Sequence, residues 1–282
     1  MAALTVQHMV LSEEDFRKIS DIVYKHCGIN LHDGKKELVR ARVAKRLRSG
    51  NFKTFSEYIK YVLEDKTGTE FSILIDSLST NLTGFLREPE HFEFLRSEFL
   101  PLLVERKKKK RDFRIRAWSA GCSSGEEAYS LAMTLLEAVQ GTDRWDVKVL
   151  ANDISTTMLE TAKKGIYEKE RVEPIPSLLR QRYMIRHHKG NRGVFEVSKI
   201  LRDTVTFKHM NLVKDWVFRG PLDFIFCRNV MIYFDKPTQA RLVNRFWHLL
   251  DSGGMLFTGH SESLISIDHK FNYLRPTMYV KP

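Results

Sequence analysis

The sequence predicts an α/β protein in which a helical N-terminal region precedes a mostly parallel sheet covered by helices. Three observations carry that prediction. Roughly the first hundred residues show helical periodicity with no strand pattern. Beyond Arg111 short β-rich runs alternate with helical periods, and the stretch from Pro174 to Arg202 breaks that alternation. Alternation of this kind implies right-handed βαβ units and a sheet buried on both faces.

The elements follow in order. Ser12 with Asp15 resembles a capping box, and Phe16, Ile19, Ile22 and Val23 recur at helical spacing until Gly28 stops the run. In "KKELVRARVAKRLRSG", Val39, Val43 and Leu47 form an apolar stripe in a helix crowded with cations. "FSEYIKYVLED" places Phe55, Tyr58, Ile59, Val62 and Leu63 on one side of a third helix. The run "RKKKKR" (Arg106 to Arg111) reads as a solvated linker. After it come "FRIRAW" as strand, "EEAYSLAMTLLEAV" as helix, "VKVLAND" as strand and "TTMLETAKKGIY" as helix. Tyr183 to Arg186 and Val194 to Val197 read as an inserted hairpin around "HHKGNRG". Then "TVTFKHMNL", "LDFIFCRNVMIYF", the helix "TQARLVNRFWHLL" and "MLFTGH" complete the sheet, with "FNYLRPTMYV" as a final antiparallel strand. This organisation divides the chain into residues 1–90, a helical domain with linker, and 91–282, a sheet domain with a small β insertion at about 174–202.

A chain of 282 residues, 43% apolar and 11% aromatic, is long enough to bury a sizeable core. No apolar run approaches the roughly 20 residues of a membrane span. The start "MAALTVQHMVLSEEDF" lacks the regions of a signal peptide, so the expectation is a soluble cytoplasmic protein without membrane insertion. Cys27, Cys122 and Cys227 lack disulfide or metal-ligand spacing, and no metal is expected. The formal charge of +11 predicts attraction to an acidic partner. Nothing in the sequence demands more than a monomer.

An open parallel sheet binds its ligand beyond the carboxyl ends of its strands. The residues just past those ends are "AGCSSGEE" (Ala120 to Glu127), Asp153, Asn211, and the trio Cys227, Arg228 and Asn229. A dinucleotide fingerprint starting at Gly121 needs glycine where Ser123 and Glu126 stand, and there is no G-K-[ST] pattern. A pyrophosphate at that helix start would meet Glu126 and Glu127. Two like charges 4 Å apart repel by about 4 kcal/mol at an effective dielectric of 20. S-adenosylmethionine fits better: it carries an adenosine, no phosphate, and an ammonium and a sulfonium that a carboxylate attracts. Gly121 and Gly125 are expected to shape the turn so that the adenosine can approach.

"STNLTGFLREPEHF", "WSAGCSSGEEAYS", "NDIS", "FIFCRNVMIYFD" and "GHSES", in this order, resemble the chemotaxis receptor glutamate O-methyltransferases, the CheR family, from about residue 10 to the end. The resemblance implies an N-terminal all-helical domain joined to a class I (Rossmann-like) methyltransferase domain with a small inserted β-subdomain. It places Asn81, Thr83 and Arg87 against the cofactor, Glu127 on its ammonium, and Asp153 on the ribose. Asn211 and Leu212 flank the adenine, and Arg228 and Asn229 line the pocket floor. The activity implied is methyl transfer from S-adenosylmethionine to receptor glutamate carboxylates, leaving S-adenosylhomocysteine.

A carboxylate with a pKa near 4.3 is already ionised at neutral pH, so no general base is needed. Arg87 and Tyr233 are the candidates for the groups nearest the methyl, Arg87 because a guanidinium positions a carboxylate by charge-assisted hydrogen bonds. His260, Ser261 and Glu262 read as a turn. Arg40, Lys45, Arg46 and Arg48 form a basic face expected to dock on the glutamate-rich methylation region of a chemoreceptor. In some family members the β-subdomain also grips the receptor's C-terminal tail by strand addition, a second docking mode implied here. Two rivals stay open: an RNA or DNA methyltransferase, favoured by net charge and "RKKKKR", and a non-catalytic adenosylmethionine-sensing or receptor-binding module. Against the first, "FCRNVMIYF" lacks the N-P-P-Y type of base-methylating sequence and no aromatic stacking platform is evident.

Overall fold

Four helices build the first layer: α1 (Glu13–Cys27), α2 (Lys36–Ser49), α3 (Phe55–Glu64) and α4 (Thr69–Leu78). The computed structural model describes residues 10–141, 144–189 and 192–282, so the tip of "HHKGNRG" and the first nine residues lie outside it. Helix α1 starts where the Ser12 hydroxyl accepts the Asp15 amide at 3.0 Å, and ends at Gly28, whose φ of 74° is left-handed. The stripes Val39/Val43/Leu47 and Phe55/Tyr58/Ile59/Val62 are buried together with α1 and α4. Leu63, expected on the buried side of α3, is exposed, one position past the buried stripe. Helix α4 was not foreseen; its buried residues Leu74, Ile75 and Leu78 close this core.

Helices α5 (Pro89–Phe94) and α6 (Leu100–Lys109) flank a π-helical turn at Leu95–Phe99 and lead to β1 (Arg114–Ala120). The run "RKKKKR" is therefore largely the end of α6 rather than a linker. Lys107 is buried and pairs with the buried carboxylate of Asp223 at 2.9 Å, and Arg106 donates to the Ser252 carbonyl at 3.0 Å. Removing one partner of such a buried pair typically costs about 3–5 kcal/mol, so two of these cations fasten the helix to the sheet. The other four are exposed.

The chain continues through α7 (Glu126–Ala138), β2 (Asp146–Asp153), α8 (Thr156–Lys164), β3 (Ile166–Glu168), α9 (Lys169–Val172), α10 (Ser177–Tyr183), β4 (Met184–Lys189), β5 (Arg192–Val197) and α11 (Lys199–Thr204). It closes with β6 (Val205–His209), β7 (Leu222–Cys227), α12 (Lys236–Leu249), β8 (Leu250–Thr258), β9 (Asn272–Arg275) and β10 (Met278–Val280). The main sheet has seven strands in the order β6-β2-β1-β7-β8-β10-β9. Its first five are parallel, while β10 and β9 run antiparallel. The segment expected as one final strand is thus two, divided at Pro276–Thr277, where Thr277 is left-handed with φ 64°. The inserted hairpin β4–β5 is joined by β3, giving a second sheet in the order β3-β5-β4. Because the strand order reverses direction of winding between β1 and β7, the carboxyl ends of β2, β1 and β7 face one crevice.

Candidate active site

A cavity of about 310 Å³ lies in that crevice, and its walls include every residue expected to hold or act on the cofactor: Asn81, Thr83, Arg87, Glu127, Asp153, Asn211, Leu212, Arg228, Asn229 and Tyr233. The segment 79–84, which follows α4, roofs it. Arg42 braces this roof through the Leu78 carbonyl and the Thr80 hydroxyl, the latter at 2.6 Å. The Ser123 hydroxyl donates to the Asn81 carbonyl at 3.2 Å.

The two glutamates of "GEEAYS" divide. Glu127 faces the cavity: one oxygen accepts from the Ser119 hydroxyl at 2.7 Å and the other lies 3.2 Å from Arg228 Nε. Burial pushes its carboxyl up, opposed by Arg228 and the Ser119 bond. Glu126 is fully buried and turned away, paired with Arg171 and accepting from the Ser124 hydroxyl at 2.8 Å. The phosphate-repelling role expected of both thus falls to Glu127 alone. The two glycines shape this turn, and Gly121 lines the cavity. A Cβ on Gly121 would lie 2.4 Å from Val230 Cγ2, and one on Gly125 would lie 2.8 Å from Ala162 Cβ, so the missing side chains make room for protein. Their φ values of 89° and 97° independently require glycine.

Asp153 ends β2 with both carboxylate oxygens on backbone amides, Ser123 N at 2.7 Å and Ser155 N at 2.9 Å. Burial raises its pKa while those amides oppose the rise. Each oxygen keeps a further lone pair for a hydroxyl. The Asn211 side chain is committed elsewhere: its amide donates to the His26 carbonyl at 2.7 Å and its oxygen accepts the Val213 amide at 3.0 Å. What Asn211 and Leu212 offer a flat ring is therefore backbone and the Leu212 side chain.

Arg228 is a buried bracket. It donates to the Arg87 carbonyl at 2.5 Å and to His91 Nδ1 at 3.2 Å, in addition to facing Glu127. Since arginine only donates, His91 Nδ1 accepts, and Nε2–H donates to the Thr277 hydroxyl at 2.6 Å. Burial, with Arg228 beside the ring, lowers the His91 pKa to about 3. In the unfolded chain it is near 6.5. Below pH 6.5 the unfolded chain binds a proton that the folded one refuses, so stability falls with pH until about pH 3, by up to about 1.4 kcal/mol per unit. Urea unfolding at pH 7, 6, 5 and 4 should show a shallower acid slope for His91→Gln than for the wild type; equal slopes would contradict this assignment.

Arg87 has one protein hydrogen bond, Nη1 to the Leu82 carbonyl at 2.6 Å, and among the described residues no carboxylate pairs with it. Its neighbours Leu86 and Glu88 are both left-handed, with φ 53° and 55°. For a leucine this is strained backbone of the kind that clusters at functional sites. Tyr233 sits on a single helical turn, Met231–Tyr233, with its hydroxyl 3.3 Å from the Thr80 carbonyl.

Among the cavity residues that escaped the sequence reading are Cys27 and Ile29, at the end of α1. Ile29 bridges Phe234, and the Asn30 amide donates to the Tyr233 carbonyl at 2.7 Å. The available signal was Gly28, where a Cβ would lie 2.8 Å from Val213 Cγ1. The Cys27 thiol is pushed up to about 11 by burial and is inert as a nucleophile at neutral pH.

On α2 the expected basic face is smaller than four cations. Arg46 grips the buried Glu70 with two bonds of 2.6 Å, and Arg40 pairs with Glu37 at 2.7 Å. Lys45 and Arg48 point to solvent.

The cavity therefore carries buried carboxylates without a phosphate cradle, which fits a cationic adenosine ligand. Residues 14–79 match the family "CheR methyltransferase, all-alpha domain", and residues 81–280 match "CheR methyltransferase, SAM binding domain". The chain is 40% identical over 276 residues to "Chemotaxis protein methyltransferase 2" of Pseudomonas aeruginosa, covering 97% of this chain and 95% of that protein. It is 40% identical over 276 residues to "Chemotaxis protein methyltransferase" of Escherichia coli K12, with 97% and 92% covered. The same identity holds over 274 residues for the protein of that name from Borreliella burgdorferi, with 96% and 95% covered.

Proposed function

The chain belongs to the CheR methyltransferase family, and from that premise we propose that it esterifies glutamate side chains of transmembrane chemoreceptors. It is an S-adenosylmethionine-dependent methyltransferase of chemotaxis. The observation that carries the substrate assignment is Arg87: a guanidinium at a cavity wall that has no carboxylate partner among the described residues is suited to present a carboxylate.

S-adenosylmethionine supplies, when bound, a methyl group on a cationic sulfur that an ionised carboxylate can take without any proton transfer. The chain's own residues then have three tasks. Glu127 attracts the ammonium, with Ser119 and Arg228 fixing its orientation. Asp153 accepts from the ribose hydroxyls, while the Leu212 side chain and the Asn211 backbone flank the adenine. Arg87 and Tyr233 orient the incoming carboxylate, an effect that reaches roughly 7–11 kcal/mol in favourable intramolecular models. Neither rival is favoured: the chain matches the CheR family over residues 14–79 and 81–280, and the exposed part of the basic run is at the end of α6. Incubating the protein with methyl-labelled cofactor, receptor-containing membranes and RNA together should label receptor alone. Label on RNA would overturn the assignment.

The receptor's methylation region docks, in this reading, on the solvent-facing cations of α2. Changing Lys45 and Arg48 to Glu should raise the apparent KM for receptor several-fold and flatten its salt dependence, with kcat unchanged. If neither moved, this docking face would be wrong. Arg46 is left intact because it holds Glu70.

The small sheet offers a second contact. Strand β4 is an edge, and beside it three cations, Lys169, Arg180 and Arg186, outnumber one carboxylate, Glu173, in a hollow lined also by Met184 and Phe195. That chemistry suits an acidic receptor tail added as a strand. Titration with the receptor's C-terminal peptide should give saturable binding that Arg186→Glu weakens; absence of binding at millimolar peptide would remove the tail from the partners. The protein acts here as a monomer in the cytoplasm. Among the described residues no helix is long and apolar enough to cross a membrane.

A further inference from the structure

The motif "GHSES" has no part in the chemistry above, yet one of its residues reaches the site from behind. After β8 the chain folds sharply back, with the Glu262 amide on the Gly259 carbonyl at 2.8 Å and the Thr258 hydroxyl on the Glu262 carbonyl at 2.7 Å. This buries the Glu262 side chain. Its carboxylate then accepts three backbone amides: Gly259 N at 2.6 Å and Asn229 N at 2.8 Å on one oxygen, and Ile232 N at 3.2 Å on the other. Two of the three belong to the segment after β7. Asn229 is left-handed, with φ 58°, and Ile232 lies within the turn that delivers Tyr233. The approach is too close for any side chain at 259, where a Cβ would lie 2.4 Å from Asn229 Nδ2 and 2.8 Å from Glu262 Oε2.

A buried carboxylate is expensive unless it is hydrogen-bonded on both oxygens. An ordinary Asx turn closes on its own backbone two residues on, whereas Glu262 reaches amides 33 and 30 positions earlier. Here an anion spans the first and fourth residues of the Asn229–Tyr233 segment, so its charge-assisted bonds fix where the Tyr233 ring projects. We propose that Glu262 is a positioning residue for methyl transfer, holding Asn229 and the Tyr233 turn in register with Arg87 across the cavity. This rests on the reading that Tyr233 lies at the reacting end.

The test is Glu262→Gln, in wild-type and Tyr233→Phe backgrounds. A glutamine oxygen can still accept from Gly259 and Asn229, but its NH₂ then faces the Ile232 N–H, donor against donor, and the turn loosens. The expected kcat falls about tenfold, the equivalent of one such hydrogen bond, with cofactor Kd by calorimetry changed less than about threefold. In the Tyr233→Phe background the same substitution should lower kcat by less than about twofold, because the group it positions is already gone. Gly259→Ala should lower kcat with the same dependence on Tyr233, though it also crowds the Asn229 side chain and so does not share the cofactor Kd criterion; it carries the test if Glu262→Gln does not fold. A kcat within twofold of wild type, or a full tenfold loss that multiplies in the Tyr233→Phe background, would overturn the proposal and leave the Tyr233 reading standing. Full turnover by Tyr233→Phe alone would overturn both.

Discussion

Arg87→Ala is expected to leave the fold intact and to lower kcat at saturating cofactor by about 10- to 150-fold, the value of a charge-assisted hydrogen bond of roughly 1.5–3 kcal/mol. The side chain makes a single bond to the Leu82 carbonyl, so truncation breaks little. The backbone is held independently, with Arg228 donating to the Arg87 carbonyl and the Leu86 amide donating to the Ser130 hydroxyl at 3.0 Å. The strained residues on either side therefore stay in place without the guanidinium. Arg87→Lys should recover part of the rate, since it restores charge but not the planar fork. Circular dichroism and cofactor affinity serve as the controls, and near-normal turnover would remove Arg87 from the mechanism.

Glu127→Gln should weaken S-adenosylmethionine binding by about 3- to 12-fold, since the ammonium then meets a neutral amide oxygen instead of a carboxylate and loses about half of a bond of roughly 1.5–3 kcal/mol. The replacement keeps the shape and the Ser119 contact, while its amide nitrogen takes the place of the oxygen that faced Arg228 Nε. Because the same ammonium is present in S-adenosylhomocysteine, the affinity for that product should fall by the same factor. This equality separates the proposed contact from one to the sulfonium, which the product lacks. Calorimetry with both ligands reads it directly. A loss confined to S-adenosylmethionine would move Glu127 to the sulfur, and no loss of either would empty the account of this loop.

The positions of Glu127, Asp153, Asn211 and Arg228 were legible in the sequence because the sheet is parallel, whereas Arg87 came only from the resemblance. Each of the four lies at or past the end of a strand, and parallel strands bring their ends to one side whatever lies between. Helices α1 to α3 were legible for a local reason, the spacing of residues such as Val39, Val43 and Leu47. What local pattern does not encode is the partner. Asn211 gives its amide to His26, 185 positions away, so its commitment is invisible in "HMNL". Glu126 and Glu127 are adjacent and chemically alike, and only the 100° step between successive helical residues sends one to the cavity and the other to Arg171. Lys107 lies in the most polar run of the chain, and is buried because Asp223 on β7 waits beneath α6. Strand β3 has only three residues and takes its pairing from β5, which the sequence places well downstream.

The most direct test of the central claim is the chemical nature of the product. Receptor-containing membranes incubated with the protein and cofactor labelled in the methyl group should yield receptor-bound label that mild base releases as volatile methanol, as a carboxyl methyl ester must. Label on the receptor that survives base would contradict the account, because it would place the methyl on nitrogen, sulfur or carbon rather than on a glutamate oxygen.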